Sequence, residues 1–408
     1  MKKQYENPKS NRPGKRHYKR TNKTDLLFLC MFFFYILTGC GQQKETSIKQ
    51  NVQTERSSQS VQELYQSTQE TQQSTQETQQ NTEKENTYDF TLSFAGDINL
   101  DESWKTTQYL NTCENGIYDC ISQELITAMQ QADIMCLNNE FTYSTKGEPL
   151  NGKAYTFRAD PSRVEVLQQL GVDVVTLANN HVYDYGKEAL LDTFATLEQA
   201  EISYFGAGRN LEEAMEPVYV TVDGKIVAFV AASRAEKNKM TPQATETEPG
   251  ILRCYDTELF LESIRTARQN ADFVIAVVHW GTEYSYELED VQQSTGKEYI
   301  DAGADAVIGA HSHCLQGMEF YKGKPIIYSL GNYWFNGKTL DTMLLNLHFT
   351  ENEAEQEVEV SILPAVQSGY CTKYAKTLEE QERIYSFLEE ISINVEIDAQ
   401  GVVTEKIE

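Results

Sequence analysis

Basic residues are scarce in this sequence. Its 408 residues include 35 Lys and Arg against 61 Asp and Glu, a formal net charge of -26 at pH 7. A chain with this excess of negative charge repels the phosphate backbone, so nonspecific nucleic-acid binding is excluded. Long apolar runs are also lacking. The run from Leu26 to Leu37 is well short of the roughly 20 residues that a membrane-spanning helix needs.

Cysteine pairs with metal-binding spacing are absent as well. No two cysteines form the CxxC pattern that zinc sites and thiol-redox motifs use. A folded domain of this size does not depend on disulfides for its stability. Cys113 and Cys120 are close enough in sequence to close a short loop if the chain is exported, and the sequence leaves their state open.

The N-terminus has the outline of a bacterial lipoprotein signal. Basic residues from Lys2 to Lys23 precede the apolar run, and Leu37-Thr38-Gly39-Cys40 follows it. We expect residues 1–39 to be a cleaved signal peptide and Cys40 to be lipidated. The alternative is a plain membrane segment with an incidental cysteine. A diacylated cysteine would hold the chain on the outer face of the cytoplasmic membrane.

Residues 40–87 lack the apolar positions of a folded segment. Gln, Thr, Ser, Glu and Asn dominate, and the heptapeptide Gln-Ser-Thr-Gln-Glu-Thr-Gln occurs in tandem from Gln66 and from Gln73. The period of seven does not indicate a coiled coil, because apolar a and d positions are missing. Such a segment cannot offset its ordering entropy by burial. We therefore expect a disordered tether.

From residue 88 to residue 408, apolar strands alternate with amphipathic helices, which predicts one α/β domain. Asp223-Gly224 between two strand-like runs predicts a hairpin, and hence a mixed sheet. The predicted strands are 90–95, 134–137, 172–177, 202–205, 218–222, 225–231, 273–278 and 306–308. Three later strands, 326–329, 343–349 and 358–363, are expected to form a second sheet. The predicted helices are 121–132, 162–170, 187–199, 257–270, 291–302 and 378–391.

Polar side chains that can bind a metal follow five of these strands. In open α/β sheets the carboxyl ends of the strands form the ligand crevice, so the five motifs should converge. Imidazole, carboxylate and amide groups together suit a divalent ion such as manganese, iron or zinc. For any single histidine, a hydrogen-bonded structural role is the alternative. The motifs are Gly96-Asp97, Asn138-Asn139-Glu140, Asn179-Asn180-His181, His279-Trp280-Gly281 and His311-Ser312-His313.

These motifs resemble those of a known family. The strings FAGDINLD, NNEF, LANNHVYDYG, VVHWGTEY, IGAHSH and YSLGNYWF occur in this order between Phe90 and Phe335. They are similar to the motifs of the CapA-type capsule-synthesis proteins, which are associated with poly-γ-glutamate and are relatives of the calcineurin-like metallophosphoesterases. The resemblance implies a four-layer αββα sandwich with mixed sheets and a site for one or two divalent metal ions.

The resemblance also implies roles for individual residues. Asp97 and His313 would bind a first metal ion, and Glu140 would take the bridging position. His181 would be the imidazole that protonates or stabilises the leaving oxygen. The wider superfamily has a histidine where this chain has Asn99, which weakens one ligand position. The second ion would be held by Asn180, His279 and His311. Apart from the resemblance, we expect Asn99, Asn138 and Asn332 to support the site, and for Asn332 the alternative is a residue that only stabilises a turn.

The function implied is that of a metal-dependent hydrolase or transferase acting on a cell-envelope polymer such as poly-γ-glutamate, together with membrane-embedded capsule-synthesis proteins. The alternative is a non-catalytic scaffold of the same fold. Asn99 favours the scaffold, and the presence of His181 favours the enzyme. Asp184 is expected to shape its loop and cap the next helix. Candidates for binding a polyanion, with solvated surface charge as their alternative, are Arg158, Arg234, Lys237 and Lys239.

Overall fold

The computed structural model describes residues 88–236, 240–352 and 355–406. The predicted signal peptide, lipidated Cys40 and tether lie outside the described residues, as do Lys237 and Lys239. Those assignments therefore remain predictions. Within the described ranges, no helix is both long enough and apolar enough to cross a membrane.

The described residues form two large mixed sheets and two short two-stranded sheets. The strands in chain order are β1 (Asp89–Ile98), β2 (Ile134–Asn139), β3 (Thr142–Tyr143), β4 (Arg158–Ala159), β5 (Val174–Thr176), β6 (Ser203–Phe205), β7 (Ala207–Gly208), β8 (Val218–Val222), β9 (Lys225–Ser233), β10 (Gly250–Ile251), β11 (Phe273–His279), β12 (Ala306–Ala310), β13 (Leu315–Tyr321), β14 (Lys324–Leu330), β15 (Asn332–Trp334), β16 (Leu340–Asn352), β17 (Glu355–Ser368), β18 (Cys371–Tyr374), β19 (Val395–Ile397) and β20 (Val402–Glu405).

The helices connect strands and follow most of the predicted boundaries within three residues. One short 3-10 turn, Pro161–Arg163, precedes the fourth helix. The helices are α1 (Lys105–Leu110), α2 (Ile117–Cys120), α3 (Gln123–Gln131), α4 (Val164–Leu170), α5 (Gly186–Gln199), α6 (Leu211–Met215), α7 (Glu258–Arg268), α8 (Asp290–Ala302) and α9 (Leu378–Ile391).

The two large sheets each contain a block of parallel strands. The larger sheet has the order β19-β20-β17-β16-β1-β2-β5-β6, with β15 paired to β1 and β18 to β17. The smaller sheet has the order β13-β14-β12-β11-β9-β8. Strands β1, β2, β5 and β6 run parallel, as do β9, β11, β12 and β14. Each block therefore ends at a single edge, where ligand sites form in sheets of this kind.

Alternating apolar side chains bury both faces of the sheets. On β11, Phe273 and Ile275 belong to the core between the two sheets. The intervening Val274 and Ala276 pack instead with Phe260 of α7 on the outer face. Helices α3, α4 and α5 cover the outer face of the larger sheet in the same way. The layers are helix, sheet, sheet, helix, which confirms the predicted αββα sandwich with mixed sheets.

The predicted hairpin is confirmed, because Val222 of β8 pairs with Lys225 of β9 across Asp223-Gly224. The prediction that the three late strands form a second sheet is wrong. Strand β14 lies in the smaller sheet, whereas β16 and β17 extend the larger one. The reason is the antiparallel pairing of β16 with β1, in which Phe349 lies opposite Phe90 with ring centroids 5.0 Å apart.

Candidate metal centre

Both large sheets contribute side chains to one cluster. Asp97 lies at the end of β1, and Glu140 follows β2. His279 ends β11 in the other sheet, and His311 and His313 follow β12. All five are at least nine-tenths buried. Four of the five motifs thus supply these residues, and the fifth places Asn180 and His181 beside them. The motifs converge, as the sequence predicts, but across the sandwich rather than along one sheet.

A bulge at Gly96 positions Asp97. The pairing between β1 and β2 shifts register between Ala95 and Asp97, and a bulge of this kind re-aims the following side chain. The Asp97 N–H donates to the Gly331 carbonyl at 2.9 Å. A Cβ on Gly96 would lie 1.9 Å from that oxygen. Any larger residue at position 96 would therefore force these two segments apart and displace Asp97.

Glu140 is shared by two groups of candidate ligands. Asp97, Glu140 and His313 have ligand atoms within 4.8 Å of one another, and so do Glu140, His279 and His311. Glu140 Oε1 lies 3.7 Å from His279 Nε2 and 3.9 Å from His313 Nε2. Its place between the two groups fits the bridging role that the family resemblance implies.

Two buried polar atoms of the cluster have no hydrogen-bond partner, namely Glu140 Oε1 and His311 Nδ1. Leaving such an atom unsatisfied costs about 1–3 kcal/mol, so the cluster is better suited to a bound ligand than to an empty core. Nitrogen and oxygen donors of this mixture suit a borderline divalent cation. The residues therefore fit a divalent metal ion, which when bound would supply Lewis-acid polarisation and an acidified water.

The protonation of the cluster also suits a cation. Burial lowers the pKa of His279 well below its ordinary value and lowers the pKa of His311 to about 3, so both imidazoles are neutral, which is the form that binds metals. Burial, reinforced by the nearby Asp97 carboxylate, raises the pKa of Glu140 well above its ordinary range. A positive charge beside Glu140 would favour its ionised form.

Two asparagine side chains orient the carboxylates and His313. The Asn138 amide donates to Asp97 Oδ1 at 2.7 Å and to Glu140 Oε2 at 3.1 Å. Asn332 Oδ1 lies 2.9 Å from His313 Nδ1, so that nitrogen is the donor. Partners of this kind fix the tautomer and orientation of metal-binding groups. Their geometry matches the supporting role that the sequence predicts for Asn138 and Asn332.

Asn180 and Asn99 differ in which side-chain atom is available to the cluster. Asn180 Oδ1 lies 2.8 Å from His279 Nε2, next to the cluster. Asn99 Oδ1 accepts from the Asp101 N–H at 2.8 Å, while its Nδ2 is buried without a partner. Because the Asn99 oxygen is already hydrogen-bonded within the loop, the group that remains available is the N–H donor, which cannot bind a metal ion.

The loop between His311 and His313 is held in a costly conformation. Both residues have left-handed backbones, with φ of 93° and 55°, and such a geometry costs on the order of 1–3 kcal/mol per residue. Ser312 Oγ between them donates to the Cys314 carbonyl at 2.7 Å, which helps to stabilise the turn. Strain of this kind is typical of functional sites.

His181 is oriented by Asp184. His181 Nδ1 lies 2.7 Å from Asp184 Oδ2, so Nδ1 donates and Nε2 is left free. That Nε2 lies 3.9 Å from Glu140 Oε1, at the edge of the cluster. The expectation that Asp184 caps the next helix is wrong, because α5 has no side-chain cap. The carboxylate is used instead by the imidazole one turn away.

Lys153 is a buried part of this arrangement that the sequence did not predict. Its ammonium lies 2.7 Å from Asp184 Oδ1 and 3.1 Å from Glu236 Oε1, and it donates to the Asn180 carbonyl. A lone lysine in a polar loop has no local pattern that reveals these partners. For Asp184 a signal was present, since His181 and Asp184 are spaced to meet on one turn.

The predicted polyanion-binding arginines lie outside the cluster. The Arg234 guanidinium is over the Tyr255 ring at 4.7 Å, and that of Arg158 is over the Tyr185 ring at 4.1 Å. Trp280 is fully buried, and its indole N–H donates to the Tyr328 carbonyl in the core.

Comparison with known proteins gives the family. The model of the family described as bacterial capsule synthesis protein PGA_cap matches residues 91–337, well over half of the chain. The chain belongs to this capsule-synthesis family. The matched segment contains all the candidate ligands.

Several relatives carry related names. The capsule biosynthesis protein CapA of Bacillus anthracis is 35% identical over 201 residues, which is 48% of each protein. The PGA biosynthesis protein CapA of Bacillus subtilis is 31% identical over 266 residues, or 64% of this chain and 68% of that one. The chain thus spans about half of one relative and two thirds of the other. A solved structure of a putative 5'-nucleotidase from Staphylococcus aureus is 15% identical, covering 74% of this chain and 58% of that one, with a TM-score of 0.43.

Proposed function

We propose that this capsule-synthesis family member is a metal-dependent hydrolase or transferase acting on poly-γ-glutamate or a similar envelope polymer. A lipid on Cys40 would hold it at the outer face of the cytoplasmic membrane, beside membrane-embedded capsule-synthesis proteins. The observation that carries the proposal is the buried cluster around Glu140, with two orphaned ligand atoms and two overlapping ligand groups. The names of the Bacillus relatives support the choice of polymer.

The residues of the cluster would act as metal ligands. One or two divalent ions would be held by Asp97, Glu140, His279, His311 and His313, together with the amide oxygen of Asn180, and manganese, iron and zinc all suit such a donor set. When bound, the metal would supply an acidified water and polarise the electrophilic centre.

His181 would hold the proton that the reaction needs. With Nδ1 bonded to Asp184, Nε2 is the nitrogen that can hold or deliver it. Burial lowers the pKa of His181, and the Asp184 carboxylate opposes that effect. An imidazole oriented by a carboxylate in this way can act in general acid-base catalysis.

A specific observation favours the alternative of a non-catalytic scaffold. The Asn99 side-chain oxygen accepts a hydrogen bond within its own loop. The first motif therefore supplies a single metal ligand, the carboxylate of Asp97. A site with fewer ligands binds metal less tightly and could serve to present the polymer rather than cleave it. The His181–Asp184 pair favours the enzyme, because a scaffold has no use for an oriented proton donor.

Two substitutions separate ligand from proton-transfer roles. His311→Ala removes a proposed ligand, so bound metal, measured by elemental mass spectrometry of the purified protein, should fall together with hydrolysis of γ-linked glutamate oligomers. His181→Ala should keep the metal while turnover drops by roughly 10² to 10⁴, the usual range for lost acid-base catalysis. Full metal occupancy in the parent with no turnover of any oligomer would support the scaffold instead.

A further inference from the structure

A cavity is formed by the chain segments around Arg158 and Tyr185. Its volume is about 280 Å³. Two of its walls adjoin residues that contact His181: Arg158 follows Phe157, whose ring centroid is 4.4 Å from that of His181, and Tyr185 follows Asp184. The cavity therefore adjoins the two chain segments that carry Phe157 and Asp184, the neighbours of His181. It is lined by Asp101, Ser103, Ser144, Thr145, Arg158 and Tyr185, among others.

Arg158 has no acidic partner in this cavity. Its guanidinium is stacked over the Tyr185 ring at 4.1 Å, and Nη1 donates to the carbonyls of Lys146 and Gly147, both at 3.1 Å. Within the described ranges no carboxylate forms an ion pair with it. This leaves Nη2 and Nε available as donors on an oriented, positively charged group.

Most of the other arginines in the described ranges pair with a carboxylate, and the exceptions there are Arg234 and Arg253. Carboxylates outnumber basic side chains in this chain by 26, so potential partners for arginine are plentiful. Those paired with a carboxylate include Arg163, Arg209, Arg265, Arg268 and Arg383.

The acidic residues at the cavity have partners of their own. Asp101 Oδ1 accepts from the Ser103 N–H at 2.9 Å, and its Oδ2 accepts from the Arg158 backbone N–H at 2.6 Å. Glu102 pairs with Arg163 at 2.7 Å. Asp160, the third acidic residue of the cavity, accepts from the Ser162 N–H at 2.9 Å. These three carboxylates are engaged in holding their loops, and Arg158 is the charged side chain of the cavity that has no ion-pair partner.

We propose that this cavity is a carboxylate subsite, in which Arg158 binds a free carboxylate of the polymer next to the residue at the metal centre. The inference rests on the proposed function, because γ-linked glutamate keeps one free α-carboxylate on every residue. The arginine fork suits a carboxylate, to which it can form two parallel hydrogen bonds. Stacking on Tyr185 fixes the fork in advance, so less entropy is lost on binding.

The test compares binding by charge-altered variants of the full chain. The probes are a fluorescein-labelled γ-linked glutamate decamer, followed by anisotropy, and free glutarate, followed by saturation-transfer NMR. Arg158→Gln should weaken decamer binding by about tenfold or more, the loss expected for one charge-assisted hydrogen-bonding group. Arg265→Gln removes the same charge from an exposed arginine of α7 that is paired with Glu258. It should change binding by less than about twofold, because distant surface charges are screened.

A second pair of variants guards against misfolding, since Arg158 also holds the Lys146–Gly147 turn. Thr145 is exposed at the cavity, so Thr145→Glu adds a repelling carboxylate and leaves the Arg158 bonds intact. Ser294→Glu adds the same charge to an exposed position on α8, on the outer face of the other sheet. Thr145→Glu should weaken decamer binding and Ser294→Glu should not.

The outcomes separate the subsite from the proposed function. If the decamer binds the parent, Arg158→Gln and Thr145→Glu equally well, the subsite is wrong and the proposed function stands. If glutarate binds the parent and is lost in Arg158→Gln while the decamer does not bind, the subsite is right and the polymer is wrong. If neither probe binds the parent, both inferences are overturned.

Discussion

Replacing Glu140 with Gln should change stability in opposite directions with and without metal. Without metal, the parent buries a carboxyl whose charged form is disfavoured by burial and by the nearby Asp97 carboxylate, and a buried polar group without a partner costs about 1–3 kcal/mol, and more when it is charged. Glu140→Gln removes the buried acid, so the free energy of unfolding in chelator should rise by about 1–2 kcal/mol. With a divalent ion at about a hundred times its Kd, the parent should gain about 2.7 kcal/mol and the variant much less.

The difference between the two proteins should also depend on pH. Because the pKa of Glu140 is raised in the folded state, its contribution to stability is complete below the unfolded value and is lost as the pH rises through the folded one. In chelator, the advantage of the variant should therefore grow as the pH rises above the ordinary titration range of a glutamate. The lowered pKa values of His279 and His311 act in the other direction in both proteins.

The assay is urea unfolding of both proteins with chelator and with manganese or zinc. Glu319→Gln is the matched control, because Glu319 is also a buried glutamate, but it has partners in Tyr328 and in Lys297 at 3.1 Å. The free energy of unfolding of Glu319→Gln should be lower than that of the parent both with chelator and with metal. If Glu140→Gln is less stable than the parent in chelator at every pH, Glu140 is not an uncompensated buried acid and the reasoning fails.

Three further predictions concern the rest of the chain. Cys40→Ala should abolish metabolic labelling of the protein with a palmitate analogue, and unchanged labelling would exclude lipidation at that residue. Limited proteolysis should cut within residues 41–87 and leave a resistant fragment beginning near Tyr88, whereas resistance of the Gln-Ser-Thr repeats would contradict the predicted tether. Cys113 and Cys120, with sulfurs 3.8 Å apart, should form a disulfide with diamide, seen by peptide mass spectrometry, and raise the free energy of unfolding by about 2–3 kcal/mol; thiols that stay free after diamide would refute it.

Much of the fold could be predicted because it follows from local patterns. Along β11, Phe273 and Ile275 lie on one face of the sheet and Val274 and Ala276 on the other. This alternation follows directly from the order of consecutive residues. Polar motifs directly after apolar strands indicate the carboxyl edge of a parallel sheet. The metal-type side chains of Asp97 and His313 could be predicted to meet for that reason, although they come from different sheets.

What could not be predicted depends on contacts distant in sequence. Strand β16 joins the larger sheet because it pairs with β1, and nothing within β16 selects that partner over β14. The buried Lys153 acquires its role from Asp184 and Glu236, which lie in other loops. The cavity at Arg158 likewise depends on Tyr185, and only the folded chain brings the two together.

The most direct test of the metal centre is anomalous X-ray diffraction from crystals soaked in manganese or zinc, with data collected at the absorption edge of the ion. The account predicts an anomalous peak within ligand distance of Glu140 and of His279, His311 or His313, and loss of that peak in Glu140→Gln crystals. Soaked crystals in which the parent shows no peak near Glu140, or shows the same peak with the Gln variant, would contradict it.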